Sequence, residues 1–281
     1  MSTRSTRARL GRSVPSHSPV GGSRSLAVGA AVAATIATLV TGCGGKSPNH
    51  PASSSSAGAP ASGKLPLATT FVTLKNIPKD ANGAATADGT VAHPTRALPV
   101  SATPGGPAVA TLPDKELGSP TWVPVVETKP GWQRVLLPSR PNGATGWIAD
   151  GKDKVQTAHS PYSIKVNTSA RRLSLLKSGR SIGTWTVAVG APKTPTPAGR
   201  TFILASLAPA KPTYSPLILP VGAHSESLDT FGGGPGTVAL HGWPQKSVFG
   251  RAVTHGCVRV PADALRLLAK VPLGTPVSIA N

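Results

Sequence analysis

From residue 65 onward the apolar runs are short, and each is soon closed by proline or glycine; this punctuation is the strongest constraint on the fold. Proline cannot donate to a helix or sheet ladder and glycine favours turns, so 30 prolines and 31 glycines among 281 residues leave little room for long helices. What remains is a series of strand-length pieces. They are Phe71 to Leu74, Ala108 to Leu112, Trp122 to Glu127, Trp132 to Leu137 and Gly146 to Ile148, then Ser163 to Val166, Arg172 to Leu176, Gly183 to Val189 and Thr201 to Leu204. Such runs with frequent turns predict a mainly β protein, with hairpin or turn signals at Pro141-Asn142-Gly143 and Lys177-Ser178-Gly179-Arg180. A polar link is expected from about Gly151 to Ser160. One segment reads as a helix, Pro261 to Lys270, with proline at its first turn and Leu265, Leu267 and Leu268 as its apolar face.

The first residues follow a different logic. Arg4, Arg7, Arg9, Arg12 and Arg24 precede any acidic residue, and an apolar run from Leu26 to Val40 ends in Val40-Thr41-Gly42-Cys43. This is the pattern of an export signal, and its run of about 15 residues is shorter than the roughly 20 of a membrane-spanning helix. Val-Thr-Gly-Cys resembles a bacterial lipobox, whose cysteine is acylated and begins the mature protein. The expectation is a lipoprotein signal peptide at 1–42, lipid on Cys43 holding the chain to the outer face of the cell membrane, and a Ser/Ala/Pro/Gly tether through residue 64.

Export changes the meaning of charge and of cysteine. Net charge is +19, and removing the five leader arginines leaves +14, which calls for an anionic partner. An exported chain with 4% aromatics and no base-stacking motif is a poor nucleic-acid binder, so anionic membrane or cell-wall polymers are the better match. Only two cysteines are present. With Cys43 lipidated, Cys257 has no partner, and a free thiol in an oxidising compartment is kept for use. It lies in Thr254-His255-Gly256-Cys257-Val258-Arg259, with basic groups on both sides, downstream of the pair His241-Gly242. Thiol nucleophiles need such neighbours, because only the thiolate attacks and the free thiol has a pKa of about 8.5.

Two resemblances add to these readings. Residues from about His93, through Gly131-Trp132-Gln133-Arg134-Val135 and Pro141-Asn142-Gly143-Ala144-Thr145-Gly146-Trp147-Ile148, resemble bacterial Src-homology-3-like domains. Residues from about Tyr162 to Ile279 resemble the L,D-transpeptidase (YkuD-type) family through Thr194-Pro195-Thr196-Pro197-Ala198-Gly199, His241-Gly242, Thr254 to Arg259 and Gly274-Thr275-Pro276-Val277. They imply a small Src-homology-3-like barrel at 65–155, followed at 160–281 by a YkuD-type β-sandwich with one C-terminal helix. In the barrel, Trp122, Trp132 and Trp147 are either core or the walls of a shared ligand groove.

The second resemblance implies an enzyme that cross-links peptidoglycan stem peptides without cofactor or metal. Cys257 would be the nucleophile, forming a thioester with a donor tetrapeptide and releasing its terminal D-alanine. His241 is the expected general base, oriented by the Gly242 carbonyl, while His255 supports; residues two apart on a strand share a face without facing each other. Gly256 and Cys257 would supply oxyanion N–H groups. Arg259 holds either a substrate carboxylate or the site's own architecture, and Thr254 and Trp243 border the substrate, Trp243-Pro244 standing where the family more often has small polar residues. Asp229 to Gly236 reads as a mobile loop beside the site. Competing readings are a carboxypeptidase using the same thiol, a sortase-like transpeptidase, a non-catalytic wall-binding lipoprotein, and a zinc site built from His224, His241, His255 and Cys257, for which the spacing is unfavourable.

Overall fold

The computed structural model describes residues 64–81, 88–211 and 213–281; the leader, Cys43 and the tether to residue 63 lie outside the described residues. The first part is a seven-stranded sheet in the order Ala108–Leu112, Leu98–Ser101, Thr145–Ala149, Trp132–Leu136, Val123–Lys129, Thr90–Pro94, Val155–His159, with every pair antiparallel. Inward side chains such as Val100, Ala110, Leu112, Val123, Val135 and Ile148 form its core.

Three expectations are corrected here. The polar link is largely strand: Val155–His159 pairs with Thr90–Pro94, but only Val155 is buried, so an edge strand exposed on its other residues carries no apolar signature. Phe71 to Leu74 is not a strand but a strap making isolated bridges, and Phe71 is exposed. The three tryptophans share no groove. Trp147 is buried, Trp132 lines a cavity with Arg96 and Lys154, and Trp122 stacks on His93 and lines a separate cavity with Leu273.

The second part is a β-sandwich. One sheet runs Arg180–Thr186, Arg172–Lys177, Tyr162–Asn167, Pro276–Ala280, Gly199–Phe202, and the other Ile218–His224, Thr237–Gly242, Val258–Val260. Alternation sends Ile164, Val166, Leu173 and Leu175 from the first sheet against Leu219, Val221, Val238, Leu240, Val258 and Val260 from the second. The Ser178-Gly179 turn has left-handed backbone at both residues, φ 49° and 77°, as a two-residue hairpin requires. The helix spans Ala262–Leu268 and covers the core with Ala264, Leu265 and Leu268. Pro261 caps it instead of entering it, its carbonyl accepting the Leu265 N–H at 3.0 Å, and Leu267 is only partly buried.

The two parts are joined by apolar and polar contacts. Phe202 and Leu204, from the sandwich, are fully buried in the core of the seven-stranded sheet. Beside them Arg200 grips Asp80 with two bonds of 2.7 and 2.6 Å, both side chains buried. Burying two charges is favourable only with such paired geometry. A second polar cluster centres on Thr70. His224 Nε2 donates to the Thr70 carbonyl at 2.7 Å, Thr70 Oγ1 lies 2.6 Å from Thr237 Oγ1, and the Thr70 N–H donates to the Glu116 carboxylate.

Burial dominates both titratable groups of this cluster: it lifts Glu116 to about 7 and depresses His224 to about 4. For an acid with a raised folded pKa, the stabilising contribution is full below the unfolded value and is lost as pH rises through about 7. Glu116→Gln keeps the acceptor for Thr70 but cannot ionise. It is expected to match the wild type below pH 4.5 and to become more stable by about 3 kcal/mol above pH 7. Urea denaturation at the two pH values checks this; equal stability at both would exclude an ionisable Glu116 in the folded protein.

Candidate active site

The site grows out of one parallel strand pair. Thr237–Gly242 and Val258–Val260 pair with His241 opposite Arg259 and Leu240 opposite Val258. Because Leu240, Val258 and Val260 point into the core, His241 and Arg259 emerge side by side on the other face, and Cys257 continues the alternation two residues before Arg259. His241, Cys257 and Arg259 line one cleft of about 250 Å³, walled by Tyr214 and Trp243 on one part of its rim and Phe231 and His255 on another.

The nucleophile loop is held by hydroxyls. Thr254 Oγ1 donates to the Cys257 carbonyl at 2.6 Å and accepts from the Gly256 N–H at 3.1 Å. Thr194 Oγ1 donates to the Thr254 carbonyl and Thr196 Oγ1 to the Gly256 carbonyl, each at 2.8 Å, while the Gly190 N–H donates to Thr196 Oγ1. Gly256 sits at φ 119°, which side chains rarely adopt, so glycine is needed there for conformation.

These bonds correct two expected roles. The Gly256 N–H is engaged by Thr254, leaving the Cys257 N–H as the oxyanion donor the loop can offer. Thr254 is 2% exposed and its hydroxyl is spent on the loop, so its function is to shape the site and not to bind substrate. His255 also departs from its expected setting. It lies in a bend, exposed, its ring 4.8 Å from that of Phe231.

His241 is buried, and its Nδ1 lies 2.8 Å from the Gly242 carbonyl. A carbonyl only accepts, so Nδ1 carries the proton and Nε2 is left as the acceptor. The Gly242 peptide is itself fixed: its N–H donates to Ser215 Oγ at 2.8 Å, and that hydroxyl donates to the Leu217 carbonyl at 2.6 Å. Tyr214 meets the imidazole edge-on at 4.9 Å, and its ring lies tilted 5.3 Å from that of Trp243. Arg259 lies 3.5 Å over the Trp243 ring, and its Nε is buried without a partner. Trp243 thus orients the guanidinium as well as bordering the cleft.

Burial is the leading influence on both reactive groups. It pushes the Cys257 thiol up, against the lowering effects of a backbone hydrogen bond with Ala239 and of the Arg259 charge. It lowers the His241 imidazole from 6.5, the Gly242 bond acting in the opposite sense and Arg259 in the same sense. At neutral pH the pair is therefore a neutral thiol beside a neutral, base-competent imidazole.

His224 is elsewhere, bonded to Thr70 at the junction, roughly 20 Å along its strand from the residue paired with His241. Tyr214, Ser215 and Phe231 were not among the residues expected from sequence. Tyr214 and Ser215 lie in a connecting segment without periodic or motif signal; Phe231 lies in the glycine-rich Asp229 to Gly236 loop expected beside the site, but nothing local marked this residue within it.

The hydroxyl of Thr196 bridges two backbone groups, so Thr196→Val should leave both unpaired and cost about 1–3 kcal/mol, with Thr196→Ser close to wild type. Thermal denaturation of the two variants measures it; an undisturbed valine variant would show the bridge to be dispensable.

Residues 161–279 match the YkuD family, the L,D-transpeptidase catalytic domain. The YkuD proteins of Bacillus licheniformis and Bacillus subtilis, whose names place them among the L,D-transpeptidases, are 36% and 33% identical over 120 and 121 residues. Each alignment covers 42% of this chain and 66% of the relative's length. Among solved structures, the catalytic domain of an Enterococcus faecium L,D-transpeptidase (E. faecium) is 22% identical, covering 42% of this chain and 95% of that one at a TM-score of 0.33. An L,D-transpeptidase from Mycobacterium smegmatis is 14% identical, covering 74% and 99% at a TM-score of 0.39. The likeness rests on the domain match and the sequence relatives: residues 161–279 of this chain match, and are similar to, the YkuD family of L,D-transpeptidase catalytic domains.

Proposed function

We propose that this chain is an exported peptidoglycan L,D-transpeptidase that forms 3-3 cross-links through a thioester on Cys257. The observation that carries the reading is the shared cleft of Cys257 and His241, with the imidazole tautomer set by the Gly242 carbonyl, on a domain that matches this family. Cys257 sulfur attacks the carbonyl joining the diamino acid of a donor tetrapeptide to its terminal D-alanine, while His241 Nε2 takes the thiol proton. The Cys257 N–H stabilises the oxyanion. Collapse breaks the C–N bond, His241 returns the proton to the departing D-alanine amine, and the thioester remains.

In the second half the side-chain amine of a neighbouring stem loses a proton to His241 and attacks the thioester, which restores the thiol. Arg259, steered by Trp243, is placed to hold an acidic group of the stem. Tyr214 and Trp243 on one side and Phe231 on the other give the cleft apolar walls against which the stems pack. The basic leader and the Val-Thr-Gly-Cys sequence support export and lipid anchoring at Cys43, and the surplus positive charge suits anionic wall polymers.

Incubation with disaccharide tetrapeptides is expected to give cross-linked dimer, and shortened tripeptide alone would instead favour a carboxypeptidase. Cys257→Ala should abolish both products. His241→Ala should slow acylation by roughly 10²-fold or more, and His255→Ala far less; full activity in His241→Ala would sink the assignment of the base.

The pH profile follows from the lowered imidazole. Protonation removes the base, so acylation of Cys257 should hold steady as pH falls to 6.5 and decline only below it. An acid limb centred above pH 7 would contradict a buried, neutral His241.

A further inference from the structure

The strands Ile218–His224 and Thr237–Gly242 are joined by a hairpin extension, Ser225 to Gly236, that has no apolar core of its own. At its base the Ser225 N–H donates to the Gly236 carbonyl at 2.9 Å; at its tip Phe231 and Gly234 exchange two bonds of 3.0 Å around left-handed Gly232 and Gly233. Sequence suggested a mobile loop, yet a side chain from the seven-stranded part gathers its backbone. Arg140 Nη1 donates to the Ser225 carbonyl at 2.9 Å, and Nη2 to Pro235 at 2.9 Å, Leu228 at 3.2 Å and Asp229 at 3.4 Å.

Two residues on, Asn142 accepts the His224 N–H and donates to the His224 carbonyl, both at 2.8 Å, pinning the strand where the hairpin begins. Gly236, at φ 70°, lets the guanidinium in; a Cβ there would lie 3.1 Å from Arg140 Nη2 and clash with the Leu228 carbonyl. The far end of this hairpin presents Phe231, its ring tilted against that of His255 at 4.8 Å, as one wall of the Cys257 cleft.

We propose that Arg140 is a positioning residue for the active site: it holds the 225–236 hairpin so that Phe231 and His255 form the wall against which the acyl donor is seated, which makes the N-terminal part of the chain a determinant of donor recognition. A guanidinium suits this role because its planar fork presents five N–H donors in fixed directions, whereas an ammonium offers a single small centre. The identity of the donor rests on the proposed transpeptidase function; the control of the wall does not.

The test uses the full chain as wild type, Arg140→Lys, Arg140→Ala, Phe231→Ala and the Arg140→Ala/Phe231→Ala double variant. Hydrogen exchange at amides 226–236 should accelerate at least tenfold in both Arg140 variants, with the sandwich strands unchanged. Labelling of Cys257 by a bulky aryl maleimide should rise at least threefold relative to iodoacetamide, read by mass spectrometry. With a tetrapeptide donor, KM should rise at least fivefold while kcat stays within twofold. Phe231→Ala should show the same split, and the double variant should be no worse than Phe231→Ala.

Should the alanine variant fail to fold, the lysine variant, which keeps the charge and the stem, carries the test. Unchanged exchange, an unchanged labelling ratio, or additive losses in the double variant would each overturn the proposal. If the wild type acts on no stem peptide, the proposed function falls, whereas exchange and labelling still decide whether Arg140 controls the cleft wall.

Discussion

The parallel pairing of Thr237–Gly242 with Val258–Val260 is the constraint on which the rest of the site depends. Strand alternation allows a side chain only two directions, and the core takes Leu240, Val258 and Val260. His241, Arg259 and Cys257 are thereby forced to the opposite face in adjacent rows. A shift of one residue in this register would bury His241, Cys257 and Arg259 and expose the apolar side chains, so core packing and the geometry of the candidate site are enforced together.

Around that pair most of the side-chain hydrogen bonds go to backbone. Thr194, Thr196 and Thr254 hold the loop of Cys257, and Ser215 holds the peptide whose carbonyl orients His241. The imidazole is thus located by its supports, with Nε2 left as acceptor, while the thiol shares one backbone hydrogen bond with Ala239. Burial keeps both uncharged at neutral pH, and the one fixed charge beside them, Arg259, is stacked on Trp243. In the proposed reaction a neutral pair defers charge separation to the moment of attack, when fixed dipoles such as the Cys257 N–H are most effective.

The seven-stranded part is bound to the sandwich by more than a linker. Phe202 and Leu204 complete its core, Asp80 receives Arg200, and Thr70 and Arg140 enter polar positions on the sandwich. Residues that read locally as strap or turn are therefore structural parts of the neighbouring layer.

Proline and glycine punctuation, strand-length apolar runs and the helix after Pro261 made the β-rich architecture legible, since each is a local backbone preference. The Thr254 to Arg259 segment and His241-Gly242 likewise announced a thiol and a base, because nucleophilic chemistry demands those residue types. What the sequence by itself determined, then, was the class of fold and which residues are the candidates for thiol and base. Tertiary structure alone decided their surroundings: that the Gly256 N–H is consumed by Thr254, that Tyr214 and Ser215 reach the site from a segment without a pattern, and that Val155–His159 is an edge strand. The physical reason is one of range. Propensity and motif act over a few neighbouring residues, whereas hydrogen-bond partners and burial are settled between residues far apart in the chain, as between Arg140 and Pro235.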